Sequence, residues 1–285
     1  MATDLLISIF RWSRPVSPYI RPFMPAARAA FRALLRMRYW DDALVTATQN
    51  GREWRLVPEV ALRGAVAELE TIEWFRTVVR PGMTAIDVGA NVGQMTLELA
   101  TLVGPSGRVL SIEPGDGNLE VLRRHVRGNG LEDRVSIVGA ACAEAHGGEV
   151  DFFIAGDGAD SVGSGHSLVG ADSIHRCDPN IAVHAVRCTR VSIDGLCAER
   201  QLVPSLIKID VEGAELQVLK GARQTLLTAR PILLIGFHPF AFADALAASN
   251  AVRELLAEVD YRFEGAPSDG TLELREYVAV PNVTA

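Results

Sequence analysis

Cysteine is scarce in this chain of 285 residues, and the four cysteines that occur are scattered along it. They form no C-x-x-C pair, and no cluster of cysteine and histidine has the spacing of a zinc site. The sequence therefore predicts neither a zinc centre nor a disulfide framework, and we expect reduced thiols of the cytosolic kind. The four residues are Cys142, Cys177, Cys188 and Cys197.

Long apolar runs are also lacking. Ile232–Phe237 is far too short to cross a bilayer and is typical of a buried strand. The short apolar stretch Leu5–Phe10 precedes the first arginines instead of following them, so no secretory signal is expected. These absences favour a globular cytoplasmic protein, and a hydrophobic fraction of 48% is sufficient for a substantial core.

Positive charge is concentrated at the start of the chain. Residues 1–40 contain seven arginines against the single acid Asp4, a net charge of +6, and since the whole chain carries −7, the remainder carries −13. An acidic body argues against nucleic acid as a partner. Residues 1–65 are expected to form a proline-rich arm and, at residues 24–40, a basic amphipathic helix that either packs on the main domain or makes peripheral contact with the inner face of a membrane.

Residues 66–285 show a regular alternation of strands and helices. This alternation predicts an α/β, Rossmann-like domain with a mostly parallel sheet and helices on both faces. A turn at Asn50-Gly51 predicts a hairpin before this domain, and residues 261–280 indicate two final strands. The expected strands are 83–88, 108–113, 135–140, 206–210 and 232–237, and the expected helices are 66–80, 94–103, 117–129, 214–229 and 242–259.

One stretch interrupts the alternation. Residues 141–185 are rich in Gly, Ser, Asp and His, most of all between Gly156 and Gly170. A polar insertion within a compact α/β chain is usually functional, so we expect an active-site loop or lid here.

A glycine-containing motif lies between the first strand of the domain and the helix that follows it. Asp87, Gly89 and Gly93 give an acid just before the first glycine and a second glycine four residues later. A dinucleotide site would need glycine where Asn91 stands, and its diphosphate would be repelled by Asp87. The pattern favours a cationic, nucleotide-like cofactor, which suits S-adenosyl-L-methionine with its ammonium and sulfonium groups.

Glu113 is the second expected cofactor residue. It comes twenty residues after Gly93, at the end of the second strand, where a carboxylate can accept hydrogen bonds from both ribose hydroxyls. We include the neighbouring positions in the cofactor site, so that the expected set is Asp87, Gly89, Ala90, Asn91, Gly93, Glu113, Pro114 and Ala140.

A block of charged residues, Lys208–Glu215, surrounds the end of a later strand. Acids at a helix start are stabilised by the helix dipole, which accounts for Glu212 and Glu215 without any function. The dipole does not account for Lys208 and Asp210, which belong to the strand. Asp210, Glu212 and Glu215 could also bind Mg²⁺, although acids at helix ends usually do not, and no metal site is predicted.

With these motifs the sequence resembles the FkbM family of methyltransferases. The matching stretches are Pro81–Met83, Ile86–Gly93, Ile112–Pro114, Leu206–Glu215, Lys220–Ala222 and His238-Pro239, within roughly residues 66–260. The resemblance implies a class I methyltransferase fold and an O-methyltransferase acting on a hydroxyl of a sugar, a polyketide or another natural product, as a small-molecule or a glycan- or lipid-linked acceptor. The family often has an acid two residues before the histidine, where this chain has Gly236.

The expected catalytic residues are His238, Asp210, Lys208 and Glu212. An aliphatic hydroxyl needs a base to take its proton as the methyl group is transferred, and histidine suits that role at neutral pH. We expect His238 to act as the base, with Asp210 positioning the acceptor and Lys208 setting the local charge. Two alternatives stay open at this point: an NAD-linked oxidoreductase and a non-catalytic, cofactor-binding member of the family.

Overall fold

A computed structural model describes residues 44–62, 68–156, 158, 161–163 and 165–282, and the chain divides into two compact units, residues 1–69 and 70–285. In the first unit, strands β1 (Val45–Gln49) and β2 (Arg52–Leu56) form an antiparallel hairpin followed by a short helix, α1 (Pro58–Leu62). Asn50 and Gly51 both have positive φ, as the predicted two-residue turn requires. The expected basic helix at residues 24–40 lies outside the described residues.

The second unit is built on a seven-stranded sheet with the order β11-β12-β10-β9-β3-β4-β5. Strands β3, β4, β5, β9 and β10 are parallel, and β12 runs antiparallel to both β10 and β11. The predicted parallel sheet and terminal strand pair are therefore confirmed. The strands are β3 (Thr84–Val88), β4 (Arg108–Ile112), β5 (Val135–Val138), β9 (Leu206–Ile209), β10 (Ile232–Phe237), β11 (Tyr261–Glu264) and β12 (Arg275–Pro281).

The connections between these strands are helical. These helical connections build the sheet outward from β3 in one direction and from β9 in the other, an arrangement that in parallel sheets puts helices on both faces. The helices are α2 (Leu69–Val78), α3 (Gln94–Leu102), α4 (Asp116–Gly128), α5 (Ala171–Cys177), α6 (Ile193–Arg200), α7 (Glu215–Lys220), α8 (Arg223–Thr228) and α9 (Ala245–Glu258), with a 3₁₀ turn at Pro239–Ala241.

The point at which the strand order reverses lies between β3 and β9. Strands β3, β4 and β5 follow one another in one direction, whereas β9 and β10 continue in the other. Strand β9 is buried along its whole length because the sheet is covered on both faces, and its residues are apolar except for Lys208. In open α/β sheets this reversal leaves a crevice at the carboxyl ends of the strands, where ligands bind.

The single helix predicted over residues 214–229 is wrong, because the structure has two short helices there, α7 and α8. The break falls at Gly221, where an added Cβ would collide with the carbonyl oxygen of Ala143. The Gly221 carbonyl accepts a hydrogen bond from the Asp194 amide, and the Asp194 carboxylate accepts from the Thr225 amide in the first turn of α8. These tertiary contacts replace the intrahelical bonds of a continuous helix.

The interruption at residues 141–185 contains regular structure that the sequence reading missed. Three strands form a separate small sheet in the order β6-β8-β7. They are β6 (Ala141–Cys142), β7 (Glu149–Ala155) and β8 (Val183–Val191), and β7 and β8 pair antiparallel over seven residues each. Long-range pairing of this kind leaves only a weak signal in a sequence rich in glycine and serine.

In the part of the chain that the structure describes, none of the helices has the length and apolar character needed to cross a membrane.

His125 generates a prediction about acid stability. Its side chain is completely buried in α4, and its Nδ1 donates a hydrogen bond of 2.7 Å to the carbonyl oxygen of Val92. Burial lowers the pKa of His125 from 6.5 to about 4, so the unfolded chain binds this proton more readily. Stability is therefore present above pH 6.5 and is lost as the pH falls towards 4, by about 2 to 3 kcal/mol between pH 7 and pH 4.5.

Urea unfolding at several pH values measures this loss, and His125→Gln is the matched control. Glutamine can donate a hydrogen bond at this position but does not titrate. Acidification should therefore reduce the free energy of unfolding less in the variant than in the parent, and equal losses would show that His125 does not contribute.

Candidate functional site

The polar residues predicted from the two motifs lie along one edge of the sheet. Glu113 follows β4, the loop Gly89–Gly93 follows β3, Asp210 follows β9 and His238 follows β10. Because these four strands are neighbours and parallel, their carboxyl ends meet at the reversal of strand order. The structure therefore brings the two separate motifs together in one site.

The loop Gly89–Gly93 turns sharply because every second residue has a left-handed backbone conformation. Gly89, Asn91 and Gly93 all have positive φ, at 78°, 50° and 88°. Asparagine tolerates this left-handed conformation better than most residues, which explains how Asn91 replaces glycine here. The Asn91 side chain accepts a hydrogen bond from the Val92 amide, and so stabilises the turn.

The glycines of this loop have a different role from the one expected. A glycine at a strand end often leaves space for a ligand, but a Cβ at Gly89 would collide with the backbone carbonyl of Asp210. A Cβ at Gly93 would collide with the side chain of Leu122 in α4. Both glycines are thus required by the close packing of protein segments, and Gly89 is what lets the ends of β3 and β9 lie side by side.

Glu113 is held by the backbone around it. Its Oε2 accepts a hydrogen bond of 2.9 Å from the Asn91 amide, and its Oε1 accepts from the Gly115 amide at 2.9 Å and from Asn118 Nδ2 at 3.3 Å. Burial raises the pKa of Glu113, and these hydrogen bonds oppose that shift. The carboxylate is therefore fixed at the end of β4, beside the loop Gly89–Gly93.

Asp87 lies deeper than expected. It is completely buried, its Oδ2 accepts a hydrogen bond of 2.6 Å from Thr96, and Lys208 Nζ lies 3.9 Å from its Oδ1. Burial raises the pKa of Asp87, while Lys208 and Thr96 oppose the shift and Asp210 adds to it. Asp87 is thus a buried carboxylate that contacts the second motif through Lys208, and its contribution to cofactor binding stays a prediction.

Lys208 joins the two motifs. Its side chain is buried, and its Nζ donates a hydrogen bond of 3.0 Å to Asp210 Oδ2. Residues 87 and 208 are directly paired on adjacent strands, which brings their side chains to the same face of the sheet. The ammonium group therefore lies between two carboxylates, and its charge offsets theirs in a buried environment.

His238 is surrounded by three carboxylates. Its Nδ1 lies 2.7 Å from Glu215 Oε1, and its Nε2 lies 3.5 Å from Asp210 Oδ1 and 3.7 Å from Glu212 Oε2. Glu215 is fully buried and also accepts a hydrogen bond from the Gly213 amide, which fixes its carboxylate beside Nδ1 of the imidazole. We call Asp210, Glu212, Glu215 and His238 the carboxylate–histidine cluster.

The charges in this cluster set its protonation. Burial by itself would lower the pKa of His238, but the hydrogen bond and charge of Glu215, followed by the charges of Glu212 and Asp210, raise it to about 9. Burial likewise acts to raise the pKa of Asp210, yet Lys208 and His238 hold it below its ordinary value. At neutral pH the histidine is therefore a cation and Asp210 is ionised, which does not suit the expected role of His238 as the base.

Glu215 is the site residue that the sequence reading missed. Its position in the first turn of α7 was explained by the helix dipole alone, whereas the structure pairs it with His238. The sequence signal for this pairing was Gly236, because the family resemblance implies an acid there that could have partnered the histidine. A Cβ at Gly236 would lie 2.9 Å from Asp210 Oδ1, so the glycine makes room for that carboxylate while Glu215 partners the histidine.

The remaining expected cofactor residues lie beside Glu113. Ala90 and Ala140 are buried, and Pro114 lines a cavity of about 440 Å³. This cavity lies on the side of Glu113 away from β9, between Gly139 and the strands β7 and β8. The small sheet of the insertion thus supplies one wall of a space next to the expected cofactor position.

Part of the insertion lies across the carboxyl edge. Residues 161–163 and 165–170, which we call the covering segment, contact Asn118 at one side and Glu212 at the other. The Gly165 amide donates to Glu212 Oε1 at 3.2 Å, and Ser167 Oγ donates to the Glu212 carbonyl at 3.2 Å.

Within the described residues, no group of three or more His, Cys, Asp or Glu side chains has the arrangement of a metal site.

The order of the seven strands, with its reversal between β3 and β9 and an antiparallel strand inserted near one end, defines a class I methyltransferase fold. The family model of the methyltransferase FkbM domain matches residues 87–263. The chain therefore belongs to the FkbM methyltransferase family, and its cofactor is S-adenosyl-L-methionine, as the sequence predicted.

Individual relatives are distant. A probable cobalt-precorrin-6B C(15)-methyltransferase (decarboxylating) from Pyrobaculum calidifontis is 26% identical over 176 residues, which are 59% of this chain and 85% of the relative. An FkbM methyltransferase structure from Methylobacillus flagellatus is 20% identical with a TM-score of 0.45, and the match covers 74% of this chain and 51% of that chain. The present chain thus spans about half the length of the Methylobacillus protein.

A precorrin-6y C5,15-methyltransferase structure from Geobacter metallireducens is 14% identical with a TM-score of 0.45, and the match covers 80% of this chain and 93% of that chain.

Glu113 generates a prediction about cofactor affinity. If its carboxylate accepts hydrogen bonds from the ribose, Glu113→Ala should weaken the binding of S-adenosylhomocysteine by roughly tenfold to a hundredfold, because hydrogen bonds to a charged group contribute about 1.5 to 3 kcal/mol. Isothermal titration calorimetry measures the dissociation constant. Glu120→Ala removes an exposed acid from the nearby helix α4 and should bind like the parent. Unchanged affinity in Glu113→Ala would place the ribose elsewhere.

Proposed function

We propose that this methyltransferase transfers a methyl group to a hydroxyl oxygen of a sugar, a polyketide or another natural product, as a free small molecule or a glycan- or lipid-linked acceptor. The observation that carries the proposal is the carboxylate–histidine cluster beside the loop Gly89–Gly93. Transfer to an alcohol releases a proton at the reacting oxygen, and this cluster offers ionised groups next to the expected cofactor position.

The residues present suit the cofactor. Glu113 offers a fixed carboxylate for the ribose hydroxyls, and the cavity beyond it, at Pro114, Asp116 and Gly139, leaves space on the side where the base would lie. The loop Gly89–Gly93 and Asp210 would border the amino-acid end. When bound, S-adenosyl-L-methionine supplies an activated methyl group on a positively charged sulfur.

The balance of charge supports a cationic ligand. Asp87, Glu113, Asp210 and Glu212 place carboxylates along one edge, and Lys208 and His238 offset only part of that charge. A cation entering this edge gains favourable electrostatic interactions, whereas the diphosphate of a dinucleotide would be repelled. The same argument makes an NAD-linked oxidoreductase the less favoured alternative.

The proton released by the acceptor requires a group that can take it. His238 is already protonated at neutral pH, so its imidazolium cannot act as a base there. Asp210 is ionised, and the acceptor oxygen becomes strongly acidic once it has gained a methyl group, so a carboxylate with a low pKa is sufficient. We therefore assign proton acceptance to Asp210, with His238 as the cation that keeps it ionised.

The other residues of the cluster position these two. Glu215 fixes the imidazole through Nδ1, which leaves Nε2 directed towards Asp210 and Glu212. Phe240 contacts the His238 ring edge-on, with ring centroids 5.5 Å apart, and gives this side of the site an apolar boundary. The ammonium group of Lys208 compensates the negative charges of Asp87 and Asp210.

The acidic balance of the chain beyond residue 40 supports an acceptor other than nucleic acid, whose backbone would be repelled by the net charge of −13. Contact of the basic residues 24–40 with an anionic membrane would bring the enzyme close to lipid-linked acceptors. That contact stays a prediction.

The first test of the proposal is chemical. With methyl-¹³C S-adenosyl-L-methionine and a set of hydroxylated acceptors, sugars, polyketides and glycolipids among them, we expect a product one methyl group heavier whose labelled carbon has the NMR shift of a methoxy group. Matched amines and a structured RNA serve as competing acceptors. Methylation of nitrogen, carbon or RNA in place of oxygen would contradict the proposal.

Replacing the proposed proton acceptor gives a separate prediction. Asp210→Asn should reduce turnover by ~10²–10⁴-fold.

The second test is the pH dependence of kcat/KM. If Asp210 accepts the proton beside a protonated His238, the rate should be constant around neutral pH and should fall as the pH rises through about 9. His238→Gln should retain part of the activity and lose this alkaline decrease. A rate that instead increases up to about pH 9, with an inactive His238→Gln, would restore His238 as the base.

A further inference from the structure

The carboxylate of Glu113 is almost inaccessible in this structure. Only 4% of the residue is exposed, and the covering segment lies close by, with His166 packed near Gly115. In this position the covering segment restricts access to Glu113. We therefore expect ligand exchange at Glu113 to involve displacement of this segment.

Two anchors hold the covering segment on opposite sides of the loop Gly89–Gly93. One is Glu212, which follows β9 and accepts hydrogen bonds from Gly165 and Ser167. The other is Asn118, in the first turn of α4, which begins just after β4. The segment thus extends from the end of β4 to the end of β9, over the end of β3 between them.

The Asn118 anchor has a double hydrogen bond. Its Oδ1 accepts from the Gly163 amide at 2.9 Å, and its Nδ2 donates to the Gly163 carbonyl at 3.0 Å. The side-chain amide therefore pairs with one residue of the segment as a neighbouring strand would. Since Asn118 is only 2% exposed, both polar atoms need partners, and the segment supplies them only when it lies in this position.

The same amide also contacts Glu113. Asn118 Nδ2 lies 3.3 Å from Glu113 Oε1 and 3.0 Å from the Gly163 carbonyl oxygen, and its two N–H groups can donate to both. The amide therefore bridges the carboxylate and the segment, so a ligand that shifts the Glu113 carboxylate also shifts the group that holds Gly163. Such a coupling is reciprocal, because closure of the segment must then favour ligand binding to the same degree.

We propose that Asn118 is a positioning residue that couples cofactor binding at Glu113 to closure of the covering segment. The inference rests on the proposed cofactor site and adds to it a residue that neither motif contains. In this arrangement a cofactor bound to Glu113 favours the position in which the segment covers the edge, which protects the reacting group from water.

The test is hydrogen exchange of the full chain with and without S-adenosylhomocysteine. In the parent, the ligand should slow exchange at the amides of Gly163 and Gly165 by tenfold or more. In Asn118→Ala, the ligand should still bind with an affinity within tenfold of the parent, but it should no longer slow exchange there. Asn129→Ala removes an asparagine from the other end of the same helix and should behave like the parent.

Asn118→Asp provides a second variant in case the alanine variant does not fold. Its carboxylate can still accept from the Gly163 amide but cannot donate, and it places a negative charge beside Glu113. We expect weaker ligand binding than in Asn118→Ala, together with loss of the ligand-dependent slowing. Both effects are specific to the bridging amide of Asn118. A purely structural residue would change the exchange rates of Gly163 and Gly165 equally with and without the ligand.

The outcomes separate the two proposals. If the parent binds no S-adenosylhomocysteine, or Glu113→Ala binds it like the parent, the cofactor site itself is misplaced and the inference falls with it. If those two controls behave as expected while Asn118→Ala retains the full ligand-dependent slowing at Gly163, the site stands and the coupling through Asn118 is overturned.

Discussion

The close approach of β3 and β9 at their carboxyl ends determines the rest of the site. Gly89 packs against the Asp210 carbonyl so closely that no side chain fits between them. This contact places the loop Gly89–Gly93 beside the block Lys208–Glu215, although more than a hundred residues separate them in the chain. A cofactor bound at the end of β3 is thereby brought next to the groups that would handle the proton of an acceptor.

The cost of this arrangement is a concentration of buried charge. Asp87, Asp210, Glu212 and Glu215 would repel one another strongly if they were left alone in an environment of low dielectric constant. Lys208 lies between two of them, and His238 contacts the other two as well as Asp210. Two buried cations thus keep the cluster compatible with folding, and they also decide which group is ionised at neutral pH.

The insertion after β5 contacts both the cavity beside the expected cofactor position and the carboxylate–histidine cluster. Its small sheet, β6-β8-β7, borders the cavity beside Pro114, while the covering segment reaches from Asn118 to Glu212. The same chain segment therefore contacts both the cofactor side and the acceptor side of the edge. Glu212 belongs to the covering contacts and to the carboxylate–histidine cluster, so movement of the segment and the charge around His238 are physically linked.

Sequence patterns were sufficient to predict the parallel strands, the hairpin at Asn50-Gly51, the class of cofactor and the residues of the two motifs. These features depend on local patterns: apolar runs, glycines at a strand end and acids beside them. The sequence reading did not find β7 and β8, because their pairing joins residues far apart in a stretch of low apolar content. The sequence pattern also predicted one helix where the structure has α7 and α8. The break depends on the contact of Gly221 with Ala143, and neighbouring residues in the sequence do not reveal that contact.

The protonation states and the contacts of the site residues depend on the three-dimensional fold. The sequence gives His238 an ordinary pKa, whereas three carboxylates from a neighbouring strand end and helix raise it to about 9. The buried position of Asp87, the pairing of Glu215 with His238 and the shared amide of Asn118 likewise depend on distances between elements. Residue type fixes what a side chain can do, but the electric field and the hydrogen bonds around it come from parts of the chain that meet only in the fold.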